Sequence, residues 1–235
     1  MAVNETMRQP VTGISSMATR TLLAELVEEY ERRVGEHVII ESVGGVAAAR
    51  RVQEGESFDI VVLASDAIDR LVADGRIVPG SRVDLARSGV AIAVAAGAPR
   101  PDIGTEAALR EAILAVRSIG YSTGPSGTHL VRLFERWGIA ETLAPRIVQA
   151  PPGVPVGTLI ARGEVELGFQ QLSELMRLPG IDVIGALPTE IQIVTIFSAA
   201  VCAVSERREG AKALLSFLAS PEAVRAKLDH GMEPA

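Results

Sequence analysis

The feature that most constrains this chain is a repeated exchange between two hydrophobic periods. Short continuous apolar runs alternate with stretches whose apolar residues recur every three or four positions. Asp59-Ile60-Val61-Val62-Leu63-Ala64 is the clearest run, and it reads as a strand covered on both faces of a parallel sheet. Val11 to Ile14 and His37 to Ser42 are similar runs. Each is followed by an amphipathic segment. Met17 to Val34 places Leu22, Leu23, Leu26, Val27 and Tyr30 on one helical face. Val46 to Glu54 is a shorter helix. The helix after Ser65 carries Ile68, Leu71 and Val72. Gly35, Gly55 and Gly75 stand where these helices should stop. Strands alternating with helices predict an α/β fold, its sheet parallel or mixed and covered by helices on both faces.

The pattern restarts near residue 89. Val90 to Ala95 reads as a strand, followed by a loop rich in Pro and Gly that runs to Gly104. Thr105 caps a helix carrying Leu109, Ile113 and Val116. Ser118 to Tyr121, Arg146 to Val148, Leu167 to Phe169 and Asp182 to Ile184 are further strands. Thr128 to Trp137 and Val156 to Arg162 are helices. Ile191 to Val204 reads as two strand-like stretches around Phe197-Ser198, long enough to return to the first domain. Two helices close the chain, the second opened by Ser220 and Pro221. The expectation is two Rossmann-like α/β domains, residues 1–88 plus 198–235 and residues 89–197. Two crossings join them, with a ligand cleft between.

Composition narrows the functional classes. Of 235 residues, 48% are hydrophobic but only 3% aromatic, so two small cores must be built from Val, Ile, Leu and Ala. A net charge of -6 argues against a nucleic-acid partner, whose phosphates need a basic surface. A small anion is still allowed, because backbone N–H groups can bind one inside an acidic protein. Cys202 is the single cysteine, in the apolar run Ala199 to Val204, and reads as a small buried hydrophobe. His37, His129 and His230 are scattered without metal-ligand spacing, and no lysine of Walker type follows a glycine-rich loop. Ser126 in Gly124-Pro125-Ser126-Gly127 is not a nucleophile elbow. No metal and no cofactor is expected. No apolar run approaches the ~18 residues of a membrane span. Met1 to Gln9 is polar and lacks a secretory apolar region. The location is expected to be periplasmic if a signal peptide has been removed, and cytoplasmic otherwise.

Four strand-to-helix turns share small hydroxylated residues and glycine: Thr12-Gly13-Ile14-Ser15-Ser16, Ser42-Val43-Gly44-Gly45, Ser122-Thr123-Gly124-Pro125-Ser126-Gly127 and Pro151-Pro152-Gly153-Val154-Pro155. A helix start leaves backbone N–H groups free and carries roughly half a positive elementary charge. One such turn is ordinary capping. Four of them, two in each half, point to an anionic or polar ligand at the C-terminal strand ends. Arg20, in the first turns of its helix, could add a bidentate contact to a carboxylate.

These residues carry a resemblance. From Thr12 to Met232 the chain resembles the type II periplasmic binding proteins, and within them the molybdate-binding family. Phe58 to Ser65, Gly163 to Phe169 and Phe217 to Ala223 with Gly231 are its most specific segments. The resemblance implies a monomeric binding protein that closes on a small anion and presents it to the membrane component of an ABC transporter. It implies ligand donors at Ser15 or Ser16, at Gly45 with Gly44, and at Ser126, Val154 and Gln171, with Thr123 in the third turn. Two positions depart from the family. Gly44-Gly45 stands where a serine is usual, and Gln171 where a tyrosine is usual. Both changes loosen the fit to a compact tetrahedral oxyanion and favour a larger ligand with carboxylates.

A branch of proteins similar to this family consists of aconitate isomerases, which move a proton along an unsaturated tricarboxylate. That alternative needs a base near the ligand carbon. His129, just inside the helix of the third turn, is the candidate, with Glu174 and Glu41 behind it. A third alternative is a ligand-sensing module that serves no transporter.

Overall fold

The computed structural model describes residues 9–235. The polar stretch from Met1 therefore lies, apart from Gln9, outside the described residues. The chain forms two compact units. One comprises the chain up to Leu85 together with Phe197–Lys227, the other Ala86–Ile196 together with Leu228–Ala235.

The first unit begins with β1 (Val11–Ser16), a single 3-10 turn at Met17–Thr19, and α1 (Arg20–Val34). Gly35 ends α1 in the left-handed conformation, at φ 71°. Then come β2 (Val38–Val43), α2 (Gly45–Gln53), β3 (Ile60–Ala64) and α3 (Ser65–Ala73). β1 pairs in parallel with β2 on one side and β3 on the other, with Ser15 opposite Ser42 and Ser16 opposite Val43. Ile14, Phe58, Val61, Leu63, Ile68, Leu71 and Cys202 pack in its core. Cys202 is buried as expected, and burial pushes its thiol up to about 12.

Asp59 is the polar knot of this unit. Its Oδ2 accepts from the Thr12 N–H at 2.8 Å and from Thr12 Oγ1 at 3.1 Å, and its Oδ1 accepts from Ser205 Oγ at 2.7 Å. Its backbone N–H donates to Thr12 O and its carbonyl accepts from the Cys202 N–H, each at 2.9 Å.

β4 (Val83–Ala95) carries the chain into the second unit, and it is longer than the Val90–Ala95 strand expected. Polar residues Asp84, Arg87 and Ser88 hide its first half from a hydrophobicity reading. The second unit continues through α4 (Glu106–Ala115), β5 (Ile119–Tyr121), α5 (Pro125–Arg136), α6 (Ala140–Leu143), β6 (Ile147–Gln149), α7 (Val156–Ala161), β7 (Leu167–Gln171), α8 (Leu172–Leu175) and β8 (Ile181–Ala186). Thr105 caps α4 as expected, its side chain accepting from the Ala108 N–H at 3.1 Å. β5 lies parallel to β6 and β7, while β4 runs antiparallel to β7 and β8.

Alternation along β4 divides the core of this unit. Val90, Ile92 and Val94 face one cluster with Leu109, Ile113, Leu130 and Phe134. Ala91 and Ala93 face another with Val156, Leu159, Ile160 and Leu175. Large side chains therefore meet α4 and α5, and small ones let α7 and α8 approach. Trp137, partly buried beside the first cluster, donates its Nε1–H to Glu106 Oε1.

β9 (Val194–Val201) returns to the first unit. It is one strand through Phe197 and Ser198, because both keep register with β3 opposite Ala64 and Leu63. The two separate stretches expected around these residues are thus a single element. α9 (Arg208–Leu218) and α10 (Val224–Asp229) follow, the latter preceded by a 3-10 turn at Pro221–Ala223. Ser220 stands at the start of that turn, but its buried hydroxyl makes no capping bond. β10 (Glu233–Pro234) pairs with β4 at Arg87 and Ala86. The tail beyond Leu228 thus belongs with the second unit, whereas the sequence reading grouped it with the first.

Two stability predictions follow from these contacts. Asp59→Ala orphans the Thr12 N–H and the Ser205 hydroxyl, and should lower unfolding free energy by about 3 kcal/mol in denaturant titration. A loss under about 0.5 kcal/mol would remove Asp59 from this role. Asp84 accepts from Ser198 Oγ at 2.5 Å, and that bond, with Arg82, holds its carboxyl below the usual range. A lowered carboxyl pKa contributes stability above the unfolded value and loses it as pH falls through the folded one. Asp84→Asn should therefore melt below the parent at pH 7, by less than about 1 kcal/mol because the carboxylate is partly exposed. The gap should close towards about pH 2, where both side chains are neutral.

Candidate functional site

The first and second turns lie together, because parallel pairing brings the ends of β1 and β2 to the same sheet edge. Ser15 is fully buried, and its Oγ lies 2.8 Å from Ser42 Oγ. Each of these hydroxyls therefore already has a partner. Ser16 differs. It is only 7% exposed, and its Oγ makes no hydrogen bond among the described residues. Its carbonyl accepts from Thr19 Oγ1 at 3.1 Å, which fixes the backbone beneath it. Of the two serines that the sequence left as alternatives, Ser16 has the unused donor.

Gly44 is the N-cap of α2 and Gly45 its first residue, and no side chain caps this start. A Cβ added at Gly45 would lie 3.6 Å from Ser16 Cβ. The uncapped start of α2 and the unused Ser16 hydroxyl are thus neighbours. Arg20, the first residue of α1, is exposed, and no carboxylate among the described residues pairs with it. Glu41 is committed elsewhere. Arg51 donates to both its oxygens at 2.7 and 2.9 Å, which holds its carboxyl below the usual range.

In the second unit the third turn feeds α5, which starts at Pro125, before the Thr128 expected, with Gly124 as N-cap. Proline at the first helical position lacks the N–H that would have no helical partner there. Ser126 is 2% exposed, and its hydroxyl lies 3.5 Å from Ser122 Oγ, the outer limit of a hydrogen bond. Gly127 is required by packing, since a Cβ would stand 1.9 Å from the Ser122 carbonyl oxygen. Beside this turn is a cavity of about 310 Å³ lined by Tyr121, Ser122, Thr123, Thr128, Arg132 and Gln149 among others. His129 is exposed on α5 and does not line it.

The fourth turn is more self-contained than its composition suggested. Gly153 takes φ 80°, and the Val154 N–H turns back to Pro151 O at 3.0 Å. The N–H of Val156, the first residue of α7, donates to Gln170 Oε1 at 2.7 Å. Gln170 Nε2 in turn donates to Glu174 Oε1 at 2.7 Å. Gln171, on the opposite face of β7, is 3% exposed. In the amide orientation that satisfies both ends, its oxygen accepts from Thr195 Oγ1 at 2.8 Å and its nitrogen donates to Ser88 O at 3.0 Å. Gln171 therefore ties β7 to residues of β4 and β9. Gln170, Ser88 and Thr195 were not among the expected site residues. The available signal was the pair Gln170-Gln171 at a strand end, where successive side chains face opposite ways and each buried amide needs partners.

Among the described residues, no three His, Cys, Asp or Glu side chains gather as a metal site, and no helix is long and apolar enough to cross a membrane. The donors that remain are neutral hydroxyls and backbone N–H groups at helix starts, with arginine at Arg20 and Arg132. Within each unit, groups of these kinds are suited to the oxygens of an anion.

The chain is similar to several known proteins. An aconitate isomerase from a Pseudomonas species is 37% identical over 235 residues, covering 96% of this chain and 89% of the relative. The periplasmic molybdate-binding protein of Azotobacter vinelandii superposes with a TM-score of 0.80 at 19% identity, covering 96% of this chain and 99% of that one. The substrate-binding domain of a molybdenum ABC transporter from Clostridium difficile gives 0.74 at 14% identity, covering 96% and 99%. The model of the bacterial extracellular solute-binding proteins matches residues 11–233, and the chain belongs to that family.

Proposed function

We propose that this solute-binding protein takes an unsaturated tricarboxylate of the aconitate class and isomerises it. The observation that carries the reading is the 37% identity to an aconitate isomerase across nearly the whole of both chains. The oxyanion-binding structures share the fold at far lower identity. The glycines at the start of α2 support it too, because they leave room where a compact oxyanion would need a close donor.

The reaction is an allylic proton shift. A base takes a proton from the methylene carbon, and the electron pair delocalises over the three-carbon allyl unit. A proton then returns at the former vinyl carbon, and the double bond moves with its geometry free to change. Stabilising the negative charge that spreads onto the carboxylates is a task for fixed neutral donors. Ser16 Oγ and the first-turn N–H groups of α2 are the proposed donors in the first unit, with Ser126 Oγ in the second. Arg20 is the proposed cation for a carboxylate. His129 is the proposed base, exposed on α5 and without a partner among the described residues. Glu41 suits the role less, because Arg51 stabilises its charged form. Glu174 already accepts from Gln170.

The reading of a binding protein that hands its ligand to a transporter predicts affinity without turnover. Purified protein incubated with cis-aconitate, followed by proton NMR, should produce trans-aconitate with time. A saturable thermal shift with no change in isomer ratio would replace the isomerase by the binding reading, and no shift with either isomer would remove the tricarboxylate. A ligand at 100 times its Kd should stabilise by about 2.7 kcal/mol. Ser16→Ala should weaken binding about ten- to a hundredfold, the loss of one hydrogen bond to a charged ligand. His129→Gln should lower turnover by about a hundredfold while leaving Kd near the parent value. Full turnover in that variant would eliminate the assignment.

A further inference from the structure

The cavity of about 310 Å³ beside the third turn lies wholly within the second unit. That is the small end of the range, about 300–1,000 Å³, in which pockets hold small ligands. Ser126 and His129, the groups proposed for the tricarboxylate in this unit, do not line it. Its floor comes from β5 and β6, and β6 ends the sheet on this side. Tyr121 stands opposite Gln149 in the parallel register, so the two side chains share a face. Its wall is one stripe of α5, because Thr128, Arg132 and Glu135 recur at helical spacing.

Two features of these walls lack partners in the protein. The first is Tyr121. It is only 6% exposed, and its hydroxyl makes no hydrogen bond among the described residues. A buried phenol normally finds a partner. Burial alone pushes its pKa upward, so at neutral pH it is a hydrogen-bond donor. The second is Arg132 with Glu135. Side chains three apart on a helix are neighbours, and opposite charges at that spacing commonly pair. Arg136 on the same helix does pair, with Glu106 at 3.0 Å. Arg132 and Glu135 engage neither each other nor any other charge among the described residues, and both line the cavity.

We infer that this cavity is a second binding site and takes a small zwitterion of the α-amino acid class, its carboxylate on Arg132, its ammonium on Glu135 and a polar group on the Tyr121 hydroxyl. A purely anionic ligand would satisfy Arg132 but be repelled by Glu135. A ligand with both charges on one carbon satisfies the two together, since Cβ atoms at this helical spacing stand only about 5–6 Å apart. Gln149 and Thr128 offer both donors and acceptors to a polar side chain. The site is independent of the tricarboxylate reading and stands or falls without it.

The test is a thermal-shift screen of the common L-amino acids at millimolar concentration, followed by calorimetric titration of the strongest stabiliser. Its N-acetyl derivative, without the ammonium, and its carboxamide, without the carboxylate, should each bind at least about tenfold more weakly. Arg132→Gln and Glu135→Gln should raise the Kd of the amino acid at least about tenfold. Tyr121→Phe should raise it about three- to tenfold, the loss of one hydrogen bond. That variant alone should melt at or above the parent temperature, because the hydroxyl it loses has no partner in the fold. Trans-aconitate should not displace the amino acid. Stabilisation by none of the amino acids overturns the inference, and so does a Kd within about twofold of the parent in all three variants. Displacement by trans-aconitate overturns it too, since the cavity would then belong to the tricarboxylate. A Tyr121→Phe melt well below the parent would give the hydroxyl a role in the fold and remove Tyr121 from the site.

Discussion

The carboxylate of Asp59 is the contact on which the first unit depends. It lies just before β3, yet it binds the start of β1 through Thr12 and the segment after β9 through Ser205. Three stretches far apart in sequence are thereby held at one point. Along β1 the parallel register then runs without a break from Val11 to Ser16. A strand buried on both faces cannot slip by one residue without exchanging its two sets of side chains. Fixing one end of β1 therefore fixes the other, and at that other end stand Ser15, locked to Ser42, and Ser16, with its hydroxyl unused.

The second unit positions its polar groups differently, through side-chain amides. Gln170 caps the start of α7, and Gln171 spans residues of three strands. An amide can donate and accept at once, which lets one buried side chain satisfy two kinds of backbone group. Buried polar networks of this sort stiffen their surroundings only when every member is satisfied. Both glutamines meet that condition. The contrast with Ser16 is informative, because the unsatisfied group lies beside an uncapped helix start rather than inside a network.

Much of the fold was legible in the sequence because apolar periodicity reports burial directly. Asp59 to Ala64 and the helical face from Leu22 to Tyr30 are read this way, and so is the cap at Thr105. The first half of β4 was hidden because Asp84, Arg87 and Ser88 break its apolar run while their backbone continues the strand. Phe197-Ser198 looked like an interruption in β9 for a similar reason, although its pairing with β3 is continuous. At the candidate site, the small hydroxylated and glycine-rich turns were visible as composition. Which of their groups are already bonded was not. The satisfaction of Gln171 and Ser15 depends on partners dozens of residues away, and no local pattern records it.

Cys202 and Trp137 give the molecule a pair of built-in reporters. The chain has one cysteine and one tryptophan. The thiol is buried in the core of the first unit, and the indole is packed beside a core cluster of the second, its N–H held by Glu106. A thiol reagent can reach Cys202 only when the first unit opens, and indole emission responds when the second loosens. Followed together through one denaturation, the two signals would reveal whether the units melt as a single cooperative body or in sequence, with no label added and no residue changed.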